Sequence, residues 1–160
     1  MTTFLDSSIL ISLIKATETN HQWALDQFNA RKQQGPIIIS DVVYSEVSVT
    51  FKDVAEVNHV LGELGVERYP GSDDALLGAG RAYQKYKTVN KGPKNSLLPD
   101  FFIGAEAMQE NAPLMTNNQK DFVKYFPDLE LIVPPKSVTV TASATLPAFG
   151  ATGQIEAAKE

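Results

Sequence analysis

The sequence predicts an α/β fold built on a mostly parallel sheet. Short apolar runs of strand length alternate along the chain with longer segments whose apolar residues recur at helical spacing. The run from Ile37 to Ile39 is apolar at every position, which is typical of a strand buried on both faces. At 160 residues, the chain is long enough for a single domain with a substantial core.

Elements in the first half follow the order strand, two helices, strand, two helices. A short strand is expected to end just before Asp6, and Ser7 or Ser8 is expected to cap the helix that follows. The second strand leads to a helix for which Ser40 and Asp41 are both candidate caps. The predicted strands span residues 3–5 and 37–39, and the predicted helices span residues 9–14, 20–31, 41–50 and 53–64.

The second half continues the alternation and then changes in composition. Strands are predicted at residues 66–69, 113–116 and 129–133, helices at 73–86 and 99–108, an exposed loop at 87–98, and a turn or short helix at 117–122. Residues 138–141 have the pattern of an edge strand, and the rest of the tail is rich in Ala, Thr and Gly. We therefore predict one domain over residues 1–135 and a C-terminal tail over 136–160 that is an edge strand or weakly ordered.

Composition excludes several classes of function. The absence of cysteine excludes disulfides, thiolate chemistry and cysteine-based zinc sites. No apolar run approaches the roughly 18 residues of a membrane span, and the first residues lack the basic region of a signal peptide, so a cytoplasmic protein is expected. A net charge of −5 argues against a surface that is uniformly adapted to nucleic acid.

Four carboxylates are expected at one edge of the sheet. Asp6 directly follows the first strand, and Asp121 lies just beyond the strand that ends at Thr116. Glu46 lies on the helix after the second strand, and Asp100 opens a helix after the polar loop. Ligands of open α/β sheets bind outside the carboxyl ends of the strands. Carboxylates that share a pocket repel one another unless a hard divalent cation compensates, and such a site suits phosphodiester cleavage without histidine or cysteine.

Spacing alone leaves a structural alternative for each acid. An aspartate after a strand, such as Asp6, is often a turn former or a helix cap. Asp100 suits the first turn of any helix because of the helix dipole, and Asp121 has the surroundings of a solvated residue. Glu46 is flanked by apolar residues, so burial would require a partner for its charge.

Four segments carry a resemblance to a known family. They are Phe4–Ile11, Ile39–Glu46, Leu98–Ala107 and Met115–Phe122, and they occur in the family's order. Together they resemble the PIN-domain family and, within it, the VapC-type toxins of toxin–antitoxin systems. The resemblance implies a compact three-layer α/β/α fold and a Mg²⁺- or Mn²⁺-dependent endoribonuclease. It also implies a homodimer and a cognate antitoxin that pushes a segment into the acidic groove.

The resemblance also implies roles for individual residues. The family's acidic quartet corresponds to Asp6, Glu46, Asp100 and Asp121. Asp6 and Asp100 would be direct metal ligands, Glu46 would ligate directly or through water, and Asp121 would ligate or complete a second site. Thr116 and Asn118 would make minor polar contributions. Some relatives carry an acid in place of Asn118, so this neutral residue implies a weaker second metal. Asp41 also lies near the quartet, but its place at a helix start favours capping.

A basic segment precedes Asp100. No acid occurs between residues 75 and 99, where Arg81, Lys85, Lys87, Lys91 and Lys94 stand. One interpretation is that the lysines, Lys91 and Lys94 in particular, line the approach to the acids and bind RNA phosphates. The alternative is a solvated helix end followed by a flexible loop.

Three other functions remain alternatives. A PIN-like protein with weak or no catalysis would act as a binding module, and a nuclease of the same fold can be directed to DNA. A phosphotransferase that forms an aspartyl-phosphate would need a second acid two residues after Asp6, where Ser8 stands.

Overall fold

Five parallel strands form the centre of the protein. The computed structural model describes residues 1–89 and 98–136. In chain order the strands are β1 (Thr3–Leu5), β2 (Ile37–Ser40), β3 (Val66–Tyr69), β4 (Leu114–Met115) and β5 (Leu131–Ile132), and they lie side by side in the order β3-β2-β1-β4-β5. Each neighbouring pair is parallel, which confirms the predicted α/β sheet.

Helices connect the strands and cover the sheet, giving the three-layer α/β/α arrangement. They are α1 (Ser7–Ile14), α2 (His21–Lys32), α3 (Asp41–Ser48), α4 (Val54–Leu64), α5 (Asp73–Val89), α6 (Leu98–Gln109) and α7 (Gln119–Tyr125). The central strands β1 and β2 are buried at every position because helices cover both of their faces. Among residues 1–89 and 98–136, no helix is both long and apolar enough to cross a bilayer.

Local sequence explains several helix ends. Ser40 caps α3 as predicted, and its hydroxyl accepts a hydrogen bond from the Val43 amide at 3.3 Å. Asp53 caps α4 in the same way through the Glu56 amide, and Gly65, at a φ of 65°, ends that helix in the left-handed conformation that glycine adopts without strain.

The predicted cap of α1 was wrong. Asp6 occupies the N-cap position, and Ser7 and Ser8 already lie inside the helix. The Asp6 side chain makes no capping bond, because its oxygens accept hydrogen bonds from hydroxyl groups instead. Asp41 does not cap α3 either, since its exposed carboxylate pairs with the Arg68 guanidinium at 2.5 Å.

The remaining differences concern element boundaries. Helix α5 continues to Val89, three residues beyond its predicted end, whereas α3 stops at Ser48. The predicted edge strand at 138–141, almost all of the predicted tail at 136–160, and most of the loop at 87–98 lie outside the described residues.

Aromatic packing fixes the start of α6. Phe101 is buried, and its ring contacts those of Tyr86 and Tyr125 at centroid distances of 5.8 and 4.9 Å. On the same helix, Gly104 lies so close to the Phe126 ring that a β-carbon would overlap it. Helices α5, α6 and α7 are thereby held together next to Asp100.

Candidate active site

The structure brings the four predicted acids to the carboxyl edge of the sheet. Asp6 follows β1 and is 4% exposed, Glu46 lies in the second turn of α3, and Asp100 and Asp121 lie in the first turns of α6 and α7. The charges of the other three acids all act on Asp100, which indicates that the four lie near one another. Their chemical roles stay a prediction.

Asp6 is held by hydroxyl groups. Its Oδ2 accepts hydrogen bonds from Ser8 Oγ and from Thr116 Oγ1, both at 2.7 Å. Its Oδ1 has only a long contact of 3.4 Å with Ser7 Oγ. One carboxylate oxygen is therefore fully engaged by the protein, and the other remains available to a ligand.

Asp100 carries the largest electrostatic perturbation in this cluster. Burial, together with the smaller effects of the negative charges of Asp6, Asp121 and Glu46, raises the pKa of its carboxyl group from 3.8 to about 7. Near neutral pH, this carboxyl group is therefore poised between its protonated and ionised forms. A cation in the pocket would favour the ionised form.

Glu46 has an unpaired oxygen. Its Oε2 is buried and has no hydrogen-bond partner. Burial raises the pKa of this carboxyl group, a hydrogen bond from the Ser7 hydroxyl lowers it, and the nearby charge of Asp6 raises it. A buried acceptor without a partner is costly, so this oxygen is a natural position for a cation or a bound proton.

Asn118 connects two of the acids. Its Nδ2 donates to Asp121 Oδ2 at 3.1 Å and to Asp100 Oδ2 at 3.4 Å, and its backbone amide donates to Thr116 Oγ1 at 2.9 Å. Thr116 and Asn118 thus lie in the centre of the polar network rather than at its margin. The Asn118 amide group partly compensates two carboxylates that would otherwise repel each other.

The oxygen atoms of this site are ligands that suit a hard divalent cation, but the described acids do not already surround a position for one. The oxygens belong to carboxylates and hydroxyls, and one of them is unpaired. In the part of the chain that the structure describes, the only ion pair is Arg68–Asp41, so none of the four acids pairs with a described Lys or Arg. In the same residues, no three acidic or histidine side chains already converge to hold an ion.

The structure describes only part of the basic segment that precedes Asp100. Lys91 and Lys94 lie outside the described residues. Arg81 and Lys85 are exposed on α5. The proposed RNA contact of this segment stays a prediction.

Sequence reasoning missed three residues. Ser8 bonds directly to Asp6, and Asn117 bonds to Ser8. Glu106 is 2% exposed on α6, with an unpaired Oε2, and burial raises its pKa to about 7. A serine two residues after Asp6 was a usable signal. No local sequence pattern marks Asn117, because its hydrogen-bond partners lie about 100 residues away in sequence.

The architecture and this cluster define a three-layer α/β/α protein with an acidic pocket at the carboxyl edge of a parallel sheet. The chain belongs to the PIN domain family, whose family model matches residues 3–125. Among curated proteins, no relative matches it.

Several solved structures are similar to this chain in fold, and a toxin–antitoxin complex is among them. VapBC2 of Rickettsia felis, bound to a DNA fragment from its promoter, is 22% identical over 84% of this chain and 100% of that chain, with a TM-score of 0.65. A toxin–antitoxin complex from Klebsiella pneumoniae is 25% identical over 83% of this chain and 98% of that chain, with a TM-score of 0.60. VapC20 of Mycobacterium tuberculosis, a Sarcin-Ricin loop cleaving toxin, is 15% identical over 76% of this chain and 94% of that chain, with a TM-score of 0.54.

Proposed function

We propose that this protein is a divalent-metal-dependent endoribonuclease, the toxin of a type II toxin–antitoxin pair. The observation that carries the proposal is the acidic pocket itself. Four carboxylates share one edge of the sheet, Asp100 is perturbed by the other three, and Glu46 keeps an unpaired buried oxygen. Carboxyl groups with pKa values perturbed in this way cluster at functional sites.

The chain's own residues supply binding and orientation. Asp6 and Asp100 would hold Mg²⁺ or Mn²⁺ directly, Glu46 directly or through water, and Asp121 directly or at a second position. When bound, the ion lowers the pKa of an attacking water and stabilises negative charge on the phosphate. Ser8 and Thr116 keep the Asp6 carboxylate in one orientation, and Asn118 fixes the spacing of Asp100 and Asp121.

The similar structures support the toxin assignment. One is a Sarcin-Ricin loop cleaving toxin, and others are toxin–antitoxin complexes. We extend this to a cognate antitoxin, a homodimer and a cytoplasmic site of action. The nuclease domain would comprise residues 1–135, and Lys91 and Lys94 would contact RNA phosphates.

The experiment is a cleavage assay on cellular RNA. Purified protein, free of antitoxin, is incubated in EDTA, Mg²⁺ or Mn²⁺, alongside Asp100→Asn and the control Asp128→Asn, which alters an exposed aspartate outside the pocket. Cleavage should require a metal, disappear in Asp100→Asn and persist in Asp128→Asn. Cleavage in EDTA, or full activity of Asp100→Asn, would refute the proposal.

One observation favours a second candidate, a catalytically weak PIN-like binding module. Within the two described stretches, no three acidic or histidine side chains already form a metal cluster. A direct Mn²⁺ titration separates the two functions. Absence of both cleavage and Mn²⁺ binding at millimolar concentration would favour the binding module, whereas saturable binding lost in Asp100→Asn would favour the nuclease.

A further inference from the structure

Asn117 lies where three parts of the fold meet, beside the acidic pocket. It follows Thr116 in the connection between β4 and α7, and it is not one of the four acids. Its side chain contacts α1 and the residue that precedes α2. These contacts are too specific for an asparagine whose only task is to form a turn.

The side chain of Asn117 uses both of its polar atoms. Nδ2 donates to Ser12 Oγ at 3.1 Å and to the Ser8 carbonyl at 3.4 Å, and Oδ1 accepts from Asn20 Nδ2 at 3.2 Å. The partners come from the first and second turns of α1 and from the N-cap position of α2. The amide therefore clamps α1 and the start of α2 to the end of β4.

The same residue reaches Asp6 through Ser8. The Asn117 backbone amide donates to Ser8 Oγ at 3.1 Å, and Ser8 Oγ donates to Asp6 Oδ2 at 2.7 Å. Because the Ser8 hydroxyl has one hydrogen, accepting from Asn117 directs that hydrogen toward Asp6. The side-chain hydrogen bonds of Asn117 hold its backbone amide in place, and that amide orients the Ser8 hydroxyl toward Asp6.

The consequence concerns which oxygen of Asp6 is free. With Ser8 and Thr116 both donating to Oδ2, only Oδ1 lacks a short hydrogen bond from the protein. We propose that Asn117 is a positioning residue, which acts through Ser8 to hold the Asp6 carboxylate so that Oδ1 is presented to a divalent cation. The inference rests on the proposed metal site.

The test is a Mn²⁺ titration of the 160-residue chain at pH 7.5, in which the free ion is measured by electron paramagnetic resonance. Variants Asn117→Ala and Ser8→Ala should each weaken Mn²⁺ binding about tenfold, because hydrogen bonds that orient metal ligands contribute affinities of that order. The double variant should bind Mn²⁺ no more weakly than Ser8→Ala alone. Asn29→Ala, an exposed asparagine on α2, is the matched control and should bind as the wild type does.

A second variant separates positioning from folding. Ser12→Ala removes the hydroxyl that accepts from Asn117 Nδ2, and alanine favours the helix in which residue 12 lies. It should weaken Mn²⁺ binding severalfold while the urea midpoint of the metal-free protein stays close to that of the wild type. Ser8→Thr, which keeps the hydroxyl, should restore the affinity that Ser8→Ala loses.

The outcomes distinguish this inference from the proposed function. Wild-type binding of Mn²⁺ with unchanged affinity in Asn117→Ala and Ser12→Ala would overturn the positioning role and leave the nuclease proposal intact. Additive losses in the double variant would also overturn it, because Asn117 would then act independently of Ser8. A wild-type protein that binds no Mn²⁺ would overturn the metal site and this inference with it.

Discussion

We predict that Glu106 lowers the free energy of unfolding of this protein as the pH rises toward neutrality. Its carboxyl group is 2% exposed on α6, and Oε2 has no partner. Its pKa is raised from 4.5 to about 7, because burial and the charge of Asp41 raise it by more than a hydrogen bond from the Ser40 hydroxyl lowers it. Other charged or titratable groups nearby are Arg68, which pairs with Asp41, and Tyr69 with its partner Glu110.

The direction of the pH effect follows from this raised pKa. Below pH 4.5, the group is protonated in both the folded and the unfolded state, so it contributes no penalty. Between 4.5 and about 7, the unfolded chain releases a proton that the folded protein retains, and the free energy of unfolding falls. At 1.36 kcal/mol per pKa unit, the full loss is about 3 kcal/mol, and it is complete above pH 7.

The substitution Glu106→Gln tests this prediction, because it removes the negative charge and keeps the size of the side chain. We expect the variant to be about 1 to 3 kcal/mol more stable than the wild type at pH 8 and close to it at pH 5, because an amide still leaves one buried group poorly paired. Urea denaturation at half-unit steps from pH 5 to 8 measures the difference. Glu63→Gln, at an exposed position on α4, is the control and should change stability equally at all pH values.

The difference between wild type and variant isolates Glu106 from Asp100 and Glu46, which titrate identically in both proteins. A stability difference that stays constant from pH 5 to 8 would refute the reasoning. So would a wild type that gains stability relative to the variant as the pH rises.

Three further predictions concern the pocket and its support. Asp100→Asn should stabilise the metal-free protein by about 1 to 2 kcal/mol at pH 8, because it removes a buried charge from among like charges; a lower urea midpoint would contradict this. Thr116→Val should weaken Mn²⁺ binding about 10- to 100-fold by titration, since Asp6 loses one of its two short hydrogen bonds; unchanged affinity would exclude Thr116 from that role. Gly104→Ala should cost about 1 to 3 kcal/mol in urea denaturation because its β-carbon would overlap the Phe126 ring, whereas a gain from helix propensity alone would show that the ring can move.

The architecture could be predicted because its signals are local. Ile37 to Ile39 is apolar at each position because β2 is covered on both faces, and Ser40 caps α3 through an amide three residues away. The α1 cap was missed because Asp6 is bonded by Thr116, which is 110 residues away in sequence. No local pattern contains that partner.

Some residues of the candidate site could likewise be predicted from the sequence, and others could not. The four acids could be found because each directly follows a strand or lies in the first two turns of a helix, and because the flanking segments resemble a family. Asn117 and Glu106 could not, since an asparagine in a turn and a glutamate in a helix are ordinary until their tertiary contacts are known. The sequence does not show which polar group lacks a hydrogen-bond partner and which has several.

The pairing of β1 with β4 has a consequence for folding. Phe4 lies opposite Leu114 and Leu5 opposite Met115, so the centre of the sheet joins two segments that are about 110 residues apart in sequence. Strands β1, β2 and β3 can associate from the first 69 residues, whereas β4 must close a loop of about 110 residues before it docks beside β1. Asp6 and Glu46 belong to the early segment, and Asp100 and Asp121 follow it. A chain that ends before β4 therefore carries Asp6, Glu46 and Asp100 but lacks Thr116, Asn118 and Asp121, so the four acids come together only after β4 and α7 have been added.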